Sequence, residues 1–103
     1  MRRAAPLALL LVLPVASQAD EALGRKVFTQ IAQPSCALCH TLQAAGAAGT
    51  LAPSLDELKP DKPRALQAIR NGVGIMPPYA DKLTPEQIEA VASYVARTAG
   101  KNE

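Results

Sequence analysis

The sequence predicts an all-α domain of about four short helices. Three observations point that way. Apolar residues recur at helical spacing in separate segments, around Leu23 to Ile31, Ala65 to Ile69 and Ile88 to Ala99. No run alternates apolar and polar residues with a period of two, so no strand of useful length is expected. Proline, glycine and short polar residues stand where helix ends belong.

The chain has 103 residues, enough for one small domain. Its first stretch is read as something else. Arg2 and Arg3 make a positive start, Ala4 to Ala16 is apolar, and Ser17-Gln18-Ala19 places small residues at a cleavage site. That is the layout of a secretory signal peptide, residues 1–19, cleaved to leave a domain of residues 20–103. The apolar run falls short of the roughly 20 residues of a membrane span, so no span is expected after cleavage. Removing Arg2 and Arg3 takes the formal charge from +2 to zero. No Lys/Arg run is interleaved with aromatics, which excludes a nucleic-acid partner from the reading.

Each helix has its own warrant. Asp20 to Gln33 is predicted as the first, with Leu23, Val27, Phe28 and Ile31 on one face. Asp20 and Glu21 suit its N-terminus, and Pro34 disfavours helical geometry at Gln33. Gly24 lies one turn before Phe28; it marks either close approach of another helix or tolerance near a terminus. Ser35 to Leu42 is predicted as a short helical turn and Ala44 to Thr50 as a flexible loop. Ser54 to Leu58 is predicted as one more turn.

Pro63 suits the first turn of a helix that Asp61 or Lys62 would cap, Asp61 being the better capping type. Ala65, Leu66 and Ile69 give its stripe, and Gly72 can stop it in a left-handed conformation. Met76-Pro77-Pro78-Tyr79 cannot be helix interior and reads as a stiff loop. Thr84, Pro85 and Gln87 announce the last helix with a capping box. Its stripe is Ile88, Val91, Ala92, Val95 and Ala99, flanked by Tyr94, with Gly100 at its end.

The chemistry concentrates in Cys36-Ala37-Leu38-Cys39-His40. C-x-x-C-H reads as an attachment site for c-type haem: two thiols for two thioethers, then an imidazole placed under the iron. The chain has 2 Cys, 1 His and 2 Met, one Met being the initiator. A haem held by His and Met therefore has one assignment, His40 and Met76. That pair belongs to electron-transfer centres, because a soft thioether favours ferrous iron and full coordination leaves no open position. The Pro53 carbonyl is the candidate partner for the second nitrogen of His40. The lack of Trp, with only 2 Tyr and 1 Phe, agrees with a core filled out by a cofactor.

Rival readings of the motif are weaker. Zinc needs about four ligands, and no fourth Cys or His exists. A thioredoxin-like pair sits in a βαβ pattern that is absent here. A disulfide across two residues would stabilise little. Tyr79 could cover a haem edge, bond a propionate or lie on the surface. Lys62, Arg64, Arg70 and Lys82 could offset propionate charge or meet an acidic partner; none is placed in the site.

Gly24, Phe28, the Cys36-to-His40 motif, Pro53-x-Leu55, Met76-Pro77-Pro78 and Tyr94 together resemble the small bacterial class I monohaem cytochromes c. The resemblance covers essentially all of residues 20–103. It implies the class I cytochrome c fold, about four short helices wrapped around one covalently bound haem, with the first and last helices crossing at Gly24/Phe28 and Tyr94. It implies thioethers from Cys36 and Cys39, axial ligands His40 and Met76, and a Pro53 carbonyl bonded to His40. Two departures stand out: Ala52 where many relatives have Gly, and no Trp near the haem. The Gly72 to Tyr79 run is also similar to cytochromes that accept electrons from periplasmic sulfite dehydrogenases.

The expected function is therefore a periplasmic shuttle of single electrons. It is not an enzyme and takes no small-molecule substrate. Its partners are redox proteins, with a sulfite dehydrogenase as donor and a terminal oxidase as acceptor. The alternatives are a fixed electron-transfer subunit of a dehydrogenase complex, or a haem enzyme or gas sensor with an open iron.

Overall fold

The computed structural model describes residues 15–101; the side chains it describes begin at Asp20. Most of the predicted leader, residues 1–14, lies outside the described residues. Five α-helices follow in order: α1 (Val15–Lys26), α2 (Cys36–Cys39), α3 (Leu55–Leu58), α4 (Lys62–Asn71) and α5 (Pro85–Thr98). Strands β1 (Thr41–Leu42) and β2 (Ala47–Ala48) form a minimal antiparallel ladder between α2 and α3. The all-α expectation holds, with that ladder as an addition.

Helix α1 starts at Val15 instead of Asp20, because nothing between Val15 and Leu23 breaks a helix and three alanines favour one. It loosens into a π-helical turn over Val27–Ile31 and ends at Ala32, whose backbone is extended. The frame of the molecule is the crossing of α1 on α5. A Cβ added at Gly24 would lie 2.5 Å from the Ala90 carbonyl oxygen and 2.5 Å from Tyr94 Cβ. Close approach, not terminal tolerance, is therefore what Gly24 provides. Phe28 and Tyr94 meet beside the crossing, their ring centroids 6.4 Å apart and tilted by 57°. Such a pair adds about 0.5–1.5 kcal/mol beyond its burial.

The α5 stripe is buried as its periodicity predicts: Ile88, Val91, Ala92, Val95 and Ala99 all face the core. The capping box is complete. Thr84 Oγ1 accepts from Gln87 N at 3.1 Å, and Thr84 N donates to Gln87 Oε1 at 2.9 Å. Asp61 Oδ1 accepts from Arg64 N at 2.9 Å, so Asp61 caps α4 and Lys62 is its first residue. Gly72 ends α4 with φ 74° and ψ 164°, a positive φ but not the left-handed helical conformation expected. The reason is the chain's next move. A Cβ at Gly72 would sit 2.6 Å from the Met76 carbonyl oxygen, because the following loop folds back over it.

Two loop expectations need correction. The attachment turn stops at Cys39 and does not reach Leu42; Thr41 and Leu42 pair instead with Ala48 and Ala47. The predicted flexible loop, Ala44 to Thr50, is ordered by that pairing, by a 3₁₀ turn over Gln43–Ala45 and by Gly46 at φ 64°. Asp56, at the start of α3, joins distant parts. Its Oδ2 accepts from Gln43 N and its Oδ1 from Gly100 N, both at 2.8 Å.

Candidate cofactor site

The attachment motif is held from three directions. Ser35 caps α2: its hydroxyl accepts from Ala37 N at 3.2 Å and donates back to the Phe28 carbonyl at 3.1 Å. The far end of α2 is held by Ala52 N, which donates to the Cys39 carbonyl at 2.9 Å. From the side comes Gly49, where a Cβ would meet Leu38 O and Cys39 C at 2.6 Å. Only a glycine lets the backbone run so close.

His40 follows as the chain leaves α2. Its Nδ1 lies 2.8 Å from the Pro53 carbonyl oxygen. A carbonyl can only accept, so Nδ1 is the donor, which leaves Nε2 as the ring nitrogen that can offer a lone pair. Proline lacks an N–H, but its carbonyl is available. The expected hydrogen bond between His40 and Pro53 is therefore present.

His40, Cys36, Pro53 and Met76 all line one cavity of about 350 Å³. Its walls are otherwise almost wholly apolar. Phe28, Val91 and Val95 come from the α1–α5 frame, Leu55 and Leu58 from α3, and Ala65, Ala68 and Ile69 from α4. Cys39 is half-buried one turn beyond Cys36 and does not line the cavity itself. Burial pushes the Cys36 thiol up to about 11. A reactive redox cysteine has its pKa lowered, so a thioredoxin-like pair is disfavoured further. Among the described residues no group of three or more His, Cys, Asp or Glu is placed to hold a metal ion.

The donor set suits a haem. Imidazole nitrogen and thioether sulfur sit in one apolar cleft, with two thiols on the adjoining helical turn. Met76 reaches that cleft from a tight β-bridge. Val73 N donates to Met76 O at 3.1 Å and Met76 N to Val73 O at 2.9 Å, with Gly74 at φ 57° in the turn. The tip of this bridge projects: Ile75 is 91% exposed.

Two residues that sequence reasoning named but left unplaced find their positions here. Arg64 is the one Lys or Arg that lines the cavity among the described residues. Its neighbours are engaged elsewhere: Lys62 and Arg70 share Glu89, at 2.9 and 3.4 Å. The helical period that would have separated them is short: Lys62 and Arg70 lie about two turns apart and so share a face, while Arg64 is rotated away. Tyr79 is not a surface aromatic, one of the roles left open for it. It is buried, and its hydroxyl donates to the Pro34 carbonyl at 2.6 Å. Burial also pushes its phenol up to about 12, so it stays neutral and a donor.

Residues 19–95 match the family described as cytochrome C oxidase, cbb3-type, subunit III. The chain is 39% identical over 88 residues to cytochrome c6 of Gloeothece citriformis, covering 80% of this chain and 74% of that protein. It is 35% identical over 94 residues to the chloroplastic cytochrome c6 of Chlamydomonas reinhardtii, covering 82% of this chain. The chain spans only 58% of that protein's length. The crystal structure of the c-type cytochrome SorU from Sinorhizobium meliloti superimposes with a TM-score of 0.80. It is 51% identical and covers 84% of this chain and 98% of its own.

Proposed function

The chain belongs to the family described as cytochrome C oxidase, cbb3-type, subunit III, and with it to the c-type cytochromes that hold one haem c covalently, and on that premise we propose that it shuttles single electrons between redox proteins in the periplasm. The observation that carries the reading is the meeting of the lone His40 and the lone available Met76 across one apolar cleft beside two thiols.

In this reading Cys36 and Cys39 would hold the haem through two thioethers, and His40 Nε2 and Met76 Sδ would ligate its iron. When bound, the haem supplies an iron that alternates between the ferric and ferrous states. The chain's own residues do the rest. The Pro53 carbonyl fixes the His40 ring and raises its basicity. The thioether of Met76 favours the reduced state and closes the position where oxygen or peroxide would bind. Apolar walls from Phe28, Leu55 and Val91 keep water out, and Arg64 offsets propionate charge. No organic substrate is acted on.

Residues 1–19 act as a signal peptide, cleaved after Ala19. No helix among the described residues is long and apolar enough to cross a membrane. The Gly72 to Tyr79 run, similar to acceptors of periplasmic sulfite dehydrogenases, supports such an enzyme as donor. The family match supports a terminal oxidase as acceptor. Encounters of this kind use small, short-lived interfaces. Leu51, Val73 and Ile75, exposed at the cleft, offer an apolar contact for them.

Three measurements test the proposal. The intact mass of the exported protein should equal residues 20–103 plus one haem. Sulfite with a catalytic amount of its dehydrogenase should reduce the protein fully, and gel filtration should show the two proteins apart. Reduction only within a stable complex would favour the fixed-subunit reading instead.

A further inference from the structure

We propose that Tyr79 is the positioning residue that holds Met76 on the iron, through the hydrogen bond from its hydroxyl to the Pro34 carbonyl. The inference rests on the assignment of Met76 as axial ligand and deepens it.

The Met76 wall is a separate piece of chain. It leaves α4 at Gly72 and joins α5 at Thr84, and within it the Val73–Met76 bridge bonds only to itself. Tyr79 is where it is tied down. The Tyr79 N–H donates to the Ile69 carbonyl at 2.8 Å, and the Tyr79 carbonyl accepts from Lys82 and Leu83, both at 3.0 Å. Those bonds fix the loop to α4 and to itself. Its hydroxyl alone reaches the opposite segment. Among the described residues, the 2.6 Å bond to Pro34 is the one hydrogen bond between the 73–82 loop and the 34–53 segment. Pro34 precedes Ser35, the cap of α2, and stands two residues before Cys36. The hydroxyl thus connects the Met76 wall to the segment that carries both thiols and His40.

Its burial gives this bond weight. Tyr79 is 4% exposed, so in the seated loop this bond is shielded from solvent. Lifting Met76 from the iron while Tyr79 stays seated would strain a loop stiffened by Pro77 and Pro78. Lifting both would exchange the bond for bonds to water, at its net cost. A net hydrogen bond is worth about 1 kcal/mol, which is about fivefold in an equilibrium constant. Tyr79→Phe keeps the ring and its packing and removes only the donor.

The experiment is an imidazole titration of the ferric holoprotein, following loss of the near-infrared band of Met–iron ligation. Imidazole competes with Met76 for the iron. Tyr79→Phe should bind it about fivefold more tightly than the wild type. Asp56→Asn weakens the contacts of α3 with Gln43 and Gly100 without touching the loop. It should lower the unfolding temperature yet bind imidazole as the wild type does. Unchanged affinity in Tyr79→Phe overturns the proposal. So does an equal rise in Asp56→Asn, which would reduce Tyr79 to general stability. Met76→Ala separates the two assignments. If it binds imidazole no better than the wild type, Met76 is not the ligand and both readings fall. If it binds far more tightly while Tyr79→Phe matches the wild type, the Tyr79 role alone falls.

Discussion

The two walls of the cleft are built in opposite ways. The His40 wall is bonded along its whole length: Ser35 caps its start, Ala52 N holds the end of α2, Pro53 holds the imidazole, and Thr41 Oγ1 donates to the Gly49 carbonyl at 2.8 Å. The Met76 wall is fastened at its ends, by Gly72 N to the Ala68 carbonyl and by Tyr79, while Val73 and Ile75 project into solvent. The difference bears on how the proposed iron site would be assembled. In that assignment the nitrogen ligand and both tethers belong to a segment bonded along its length. The sulfur ligand belongs to a loop whose position depends on a few bonds. Substitutions on the first wall should therefore act on folding and haem loading, and those on the second on ligation and potential.

The largest effect should come from Gly49→Ala. The added Cβ meets backbone atoms of α2, which cannot yield as a flexible side chain would. We expect a loss of about 2–3 kcal/mol in thermal or denaturant unfolding, the upper range for overpacking, together with poor haem incorporation. Normal stability would show the His40 wall to be less rigid than argued. On the other wall, Met76→Ala should leave the fold intact. It should lower the midpoint potential by roughly 0.1–0.3 V, a part of the roughly 0.8 V that axial ligands command. Redox titration reads this directly, and an unchanged potential would remove Met76 from the iron.

Arg64→Gln should have a smaller effect than either. Losing one positive charge from the cavity wall should change the potential by some tens of millivolts, on the order of a Coulomb term of under 1 kcal/mol. The direction is downward, because the cation disfavours ferric iron, and the fall should shrink in high salt. The same titration of Lys62→Gln should give less, since Lys62 faces Glu89 and not the cleft.

The smallest effect should follow Glu89→Gln. Hydrogen bonding to Lys62 lowers the Glu89 pKa below its ordinary 4.5. A lowered folded-state pKa contributes stability above about pH 4.5 that is lost as pH falls through the folded value. The variant should thus be marginally less stable at pH 7 and slightly less sensitive to acid in thermal melts. Because the pair is exposed, the change should be close to the error of the measurement.

What could be read from the sequence is what is local in it. The spacing of Cys36, Cys39 and His40, the Thr84–Gln87 box and the Asp61 cap involve residues within one helical turn of each other. Composition did the rest, since a single His and a single available Met admit one ligand pair. The Pro53 carbonyl was legible because an imidazole needs an acceptor and a proline carbonyl is a free one. The unread features depend on distance in the fold. Gly49 looked like part of a flexible stretch; only the approach of α2 shows why no side chain fits. The two-residue ladder is too short to leave a period. Asp56 joins Gln43 and Gly100, and Tyr79 joins Pro34, across separations that no pattern spans. Arg64 differs from Lys62 and Arg70 only in the face of α4 it occupies.

The meeting of the two walls on one iron is tested most directly by proton NMR of the reduced holoprotein. A methionine methyl held over a porphyrin face is shifted far upfield by the ring current, beyond every other methyl in the molecule. One such three-proton resonance should be present in the wild type and absent from Met76→Ala. A spectrum without it, or one in which it survives that substitution, would contradict the account.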